Sequence, residues 1–119
     1  MNIKSLSAGL SFRGNVTGRR QKYYVFEGKD AFFVFSFSKA KPKAGYFNMV
    51  SAEAVAYVKR LAGGEQGVTA QALNKRTRKP KLVGSALEAL NVLYVLVAIG
   101  SANIDHRHKD RQLFFNISD

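Results

Sequence analysis

The chain has 119 residues, no cysteine, and 19 Lys and Arg against 8 Asp and Glu, a formal net charge of +11. Its length suits one domain with its own core, and 46% hydrophobic residues, with nine Phe and five Tyr, are too many for a disordered basic tail. The missing thiols exclude disulfides and thiolate metal sites and point to a reducing, cytoplasmic setting.

Met1 to Arg13 hold no apolar core of signal-peptide length, so no secretory leader is expected there. Tyr23–Phe26 and Ala31–Phe37 are rich in aromatic and β-branched residues, and the turn chemistry of Glu27-Gly28-Lys29-Asp30 between them predicts a hairpin. In the second strand Phe33, Phe35 and Phe37 alternate with Phe32, Val34 and Ser36, so both faces call for cover. After a turn-like Lys39 to Gly45, a third strand at Tyr46–Val50 pairs back on the hairpin.

Ser51 is an N-cap followed by an acidic first turn, and Val55, Val58 and Leu61 recur at helical spacing until Gly63 and Gly64. Thr69 caps a second short helix, Ala70 to Arg76, beyond the link Glu65 to Val68. The helix runs into Lys75, Arg76, Thr77, Arg78, Lys79, Pro80, Lys81, five cations in seven residues. Ser85 and Glu88 then form a capping box that opens a third helix to Ile99, stopped by Gly100. This apolar run is too short to span a bilayer and includes Glu88 and Asn91, so no membrane insertion is expected. Such a helix reads as buried all round, against its own chain or against a second copy through Ala86 to Ile99. Ala102–Ile104 and Leu113–Ile117 predict a closing hairpin around a polar loop, Asp105 to Arg111.

The order helix, link, helix, turn, helix, charged hairpin over roughly residues 51–119 resembles the layout of winged-helix DNA-binding domains. That resemblance implies a third helix in the major groove, where Asn91 would serve an adenine, and a wing at His106 to Arg111 on the DNA backbone or in the minor groove. The residues favour backbone contact from the long Arg76 to Gly84 connection over base reading from so apolar a helix.

The charge is uneven: residues 1–63 carry eleven Lys and Arg against three acids, giving +8, and residues 64–119 carry eight against five, giving +3. Lys75, Arg76, Arg78, Lys79 and Lys81 are the expected phosphate ligands, since basic side chains release counterions when they neutralise a nucleic-acid backbone. Arg107, His108, Lys109 and Arg111 would supply the wing contact, and Arg19, Arg20 and Lys22 would extend the footprint. Lys39, Lys41 and Lys43 form a further cluster that also suits a guarded sheet edge. Tyr23, Tyr24, Phe26, Phe33, Phe35, Tyr46 and Phe47 offer either a stacking platform for single-stranded bases or, as the small sheet favours, core.

His106 and His108 lack a clear third ligand with Asp110 nearby, and no metal or cofactor is expected. Glu27-Gly28-Lys29 matches half of a metal-nuclease centre, but no carboxylate precedes it. Gly63-Gly64-Glu65-Gln66-Gly67 lacks the Lys and hydroxyl of a phosphate loop, so no catalytic function is expected. The predicted protein is a single α+β domain: a small N-terminal antiparallel sheet packed with a three-helix, winged-helix-like half ending in a hairpin. It would bind duplex DNA without catalysis, as a regulator or DNA-organising factor. RNA binding, including association with ribosomes, and a homodimeric interaction module are the alternatives.

Overall fold

Each helix begins where a hydroxyl can accept an orphan N–H of the first turn, which no carbonyl within the helix can reach. Ser51 Oγ accepts from Ala54 N–H at 3.0 Å, Thr69 Oγ1 from Ala72 N–H at 3.1 Å, and Ser85 Oγ from Glu88 N–H at 3.1 Å. These caps open α1 (Ala52–Ala62), α2 (Ala70–Arg76) and α3 (Ala86–Ala98), the three predicted helices. The Glu88 carboxylate accepts from Gly84 N–H at 2.7 Å, so its return bond closes one residue upstream of the cap. Coordinates come from a computed structural model that describes residues 9–18, 21–37, 45–107 and 112–119.

Four strands, β1 (Ser11–Thr17), β2 (Lys22–Glu27), β3 (Ala31–Phe37) and β4 (Gly45–Ser51), form an antiparallel sheet in chain order. The predicted hairpin is β2–β3, with Val25 opposite Val34, and the predicted third strand is β4. β1 was not expected. Its sequence, Ser-Phe-Arg-Gly-Asn-Val-Thr, has Gly and Asn in its middle, both poor strand formers, and long-range pairing with β2 and burial of Val16 order it. The register shifts between Phe12 and Gly14, which leaves Arg13 as the extra residue of a bulge.

Alternation then sorts the sheet into two faces. Val16, Val25, Phe32, Val34 and Val50 turn toward the helices and share one core with Val58, Leu73, Val92, Leu93 and Leu96. α3 lies across this face, touching all four strands as well as α1 and α2. The aromatics expected in that core divide. Tyr23 stacks on Tyr94 of α3 with ring centroids 4.3 Å apart, and burial, with Tyr23 beside it, pushes the Tyr94 phenol well above its ordinary pKa. Phe26 and Phe35 belong to the opposite face, edge to face at 5.4 Å, flanked by Phe12 at 5.2 Å and Phe47 at 5.7 Å. The helices cover one face of the sheet, so the expected cover on both faces is not met by any helix among the described residues.

The C-terminal hairpin pairs β5 (Ala102–Ile104) with β6 (Phe115–Ile117), a strand two residues shorter than predicted. On its other side β6 meets the link between α1 and α2: Val68 and Phe115 exchange two backbone hydrogen bonds of 2.8 Å, and Ile117 N–H donates to Glu65 O at 2.8 Å. Phe115 carries the hairpin into the core, fully buried with its ring 6.2 Å from that of Tyr94.

The apolar third helix is explained within the chain itself. Ala89, Asn91, Val92, Leu93, Tyr94, Val95 and Leu96 are all buried, leaving Leu87 as its exposed large apolar side chain. The helix therefore has little apolar surface left to offer a second copy. No helix among the described residues is long and apolar enough to cross a membrane.

Candidate nucleic-acid interface

The basic run begins on the last turn of α2 and continues through a loop that ends at Gly84. Thr77 terminates the helix in extended conformation and ties the loop's two ends, its hydroxyl lying 3.0 Å from Asn74 O and 3.3 Å from Val83 O. A turn follows, in which Leu82 and Val83 N–H both donate to Lys79 O, at 2.9 and 3.0 Å. Val83 is 1% exposed and anchors the far end. Gly84 is required here, because a Cβ would sit 2.8 Å from the Pro80 carbonyl oxygen.

Tyr57 of α1 holds the middle of the loop. Its hydroxyl accepts from Arg78 N–H at 3.0 Å, and Lys79 Nζ stands 5.4 Å from its ring centroid, within cation–π range. Nothing in the sequence singled out Tyr57 beyond its place on a helix, since its partners lie 21 residues away. The outcome is an ordered loop that carries Lys75, Arg78, Lys79 and Lys81 exposed to solvent, none of them in an ion pair with a carboxylate among the described residues.

The other predicted ligands separate by their surroundings. Arg76 is exposed but bound in bidentate fashion to Glu65, at 2.6 and 2.7 Å, with a further bond to Leu61 O at 3.2 Å. Its hydrogen bond draws the Glu65 carboxyl below its usual value and raises the guanidinium, so this pair fastens α2 to the end of α1 and spends the charge locally. Asn91 is 4% exposed, its amide donates to Leu87 O at 3.0 Å, and it lines the groove between β4 and the start of α3. Lys22 is exposed at the start of β2. Arg19, Arg20, His108, Lys109, Asp110, Arg111 and the Lys39, Lys41, Lys43 cluster lie outside the described residues.

Arg107, the described member of the predicted wing cations, sits in a local pair. Asp105 accepts from Arg107 N–H at 3.1 Å, Nε at 2.9 Å and a terminal guanidinium nitrogen at 2.6 Å, while its own side chain is 3% exposed. Those hydrogen bonds, side chain first and backbone second, hold the Asp105 carboxyl well below the usual carboxylate range. A depressed folded-state pKa adds stability that is complete above the unfolded value of about 3.9 and fades as the pH falls toward the folded value. Asp105→Asn is therefore expected to lower the urea midpoint at neutral pH, with the gap to wild type shrinking steadily below about pH 4. A gap that stays constant on acidification would show that the carboxylate charge does not stabilise the loop.

Glu27, the acid of the half nuclease pattern, is engaged by Arg13 across the sheet edge at 2.7 Å. His106 is exposed, and no group of three potential metal ligands stands together among the described residues. Comparison with known proteins finds no matching family model, no matching curated protein and no matching solved structure.

Proposed function

We propose that this chain is a non-enzymatic DNA-binding protein, a regulator or DNA-organising factor, that neutralises duplex phosphates through the loop from Lys75 to Lys81. The observation that carries this reading is the set of exposed cations Lys75, Arg78, Lys79 and Lys81 on a loop tied down by Thr77, Tyr57 and Val83. Ordered cations bind a backbone without the entropy loss that a free tail of lysines would suffer. A net charge of +11 adds long-range attraction to any polyanion.

A winged-helix-like arrangement of residues 51–119 is part of the same proposal. Its support is the pairing of the α1–α2 link with β6, which gives the order helix, bridge strand, helix, helix, hairpin. The docking differs from that of the resembling domains, because α3 lies under the four-stranded sheet and its one amide is buried. Contact therefore falls to the loop, which reads phosphates and not bases. The wing contributes through residues beyond Arg107, whose own charge is matched by Asp105.

The test is a fluorescence titration against duplex DNA, single-stranded DNA and duplex RNA of equal length at about 50 and 200 mM salt. Duplex DNA is expected to bind most tightly, with affinity falling steeply as salt rises. Tighter binding of RNA would move the protein to the RNA-binding reading, and no binding to any of the three would remove phosphate as the partner of this loop.

A further inference from the structure

The two edges of the main sheet are built differently. β1 is protected by its bulge, a device that discourages another strand from pairing. β4 has none. Gly-Tyr-Phe-Asn-Met-Val-Ser contains no charge and no proline, and its register with β3 runs unbroken from Ser51 opposite Ala31 to Gly45 opposite Phe37. Ala52 N–H donates to Asp30 O at 3.0 Å, which sets the phase of the ladder. In an antiparallel pair the direction alternates, so Asn48 and Val50 bond toward β3 while the N–H and C=O of Phe47 and Met49 point to the open edge. No backbone partner for Phe47 or Met49 exists on that side among the described residues.

A groove of about 240 Å³ runs along this edge, between β4 and the start of α3. Val50, Ala54, Leu82 and Val92 give it an apolar floor, Asn48 a polar side, and Lys81 a positive charge. Glu88 also lines it, a carboxylate that accepts from Gly84 N–H and keeps its negative charge. Phe47 and Met49, 58% and 66% exposed, stand on the same strand.

We propose that β4 is a docking edge for an extended, acidic segment of another protein, which adds a fifth strand to the sheet. Outward N–H and C=O groups at Phe47 and Met49 are matched by a peptide backbone and by little else, since a sugar-phosphate chain has no alternating donors and acceptors at strand spacing. The apolar floor takes an alternate side chain of the added strand. The chain's net charge of +11 favours an acidic partner, with Lys81 in the groove and Lys79 beside it standing among the acids Glu88 and Glu53. A second copy would bring +11 against +11. The inference shares Lys79 and Lys81 with the proposed phosphate-binding loop, whereas the strand ladder at Phe47 and Met49 belongs to β4 alone.

The probe is a blocked, fluorescently labelled heptapeptide alternating Asp and Val, compared by anisotropy on the full chain with the same peptide N-methylated along its bonding edge. N-methylation keeps the charge and removes the strand donors, so it is expected to weaken binding about tenfold or more. Met49→Pro deletes one outward N–H without touching a β3 bond and is expected to give a similar loss, with circular dichroism checking that the variant is folded. Equal affinity for the two peptides would mean that charge alone attracts them and would overturn the proposal, as would no binding of either. Concentration-dependent dimerisation that Met49→Pro abolishes would assign the edge to a second copy instead.

Discussion

Phe115→Ala is expected to cost about 3–5 kcal/mol of folding stability, a large share of what a domain of this size possesses. Phe115 is the largest of the fully buried side chains, and the core collapses poorly around its loss because three separate elements meet on it. Its N–H and C=O both bond to Val68, it sits opposite Ile104 in the hairpin, and its ring faces Tyr94 of α3. A truncated side chain therefore leaves a void that backbone pairing holds open. Urea unfolding read by circular dichroism measures the effect. A cost below about 1 kcal/mol would show that the C-terminal hairpin is an accessory and not part of the common core.

Replacing Lys75, Arg78, Lys79 and Lys81 together by Ala is expected to nearly abolish duplex DNA binding while leaving the fold intact, because none is in an ion pair among the described residues and all are exposed. If all four touch phosphate, the slope of log affinity against log salt should shrink by about 3.6, or about 0.9 for each contact. Arg76→Ala serves as the contrast. It breaks the clamp on Glu65, an exposed pair worth about 0–1 kcal/mol, and is expected to change the salt slope far less. A quadruple variant that binds with undiminished affinity and slope would place the interface elsewhere and leave the loop's charge without a role in DNA binding.

The two experiments probe different depths of the chain's legibility. Helix starts were readable because a cap is a contact between residues three apart: Ser51, Thr69 and Ser85 each reach an N–H one turn ahead. The β2–β3 hairpin was readable for the same reason, its turn lying inside one short stretch. β1 was not, since Gly14 and Asn15 argue locally against a strand and only β2 supplies the missing hydrogen bonds. The basic loop was visible as composition, yet which of its cations remain available was not. Arg76 and Arg78 are two residues apart, and one is held by Glu65 while the other has only its backbone held, by Tyr57.

The chain's own residues determined the order of its elements after β1, the positions of its helix caps, its strong positive charge and the burial of its third helix, because each follows from local chemistry or composition. Tertiary structure alone decided which face of the sheet meets the helices, where Asn91 points, which cations are spent on neighbours and which sheet edge is left open. Those outcomes depend on contacts between residues far apart in sequence, such as Tyr57 with Arg78 or Val68 with Phe115. A periodic pattern states that a face is apolar, but only packing states what covers it.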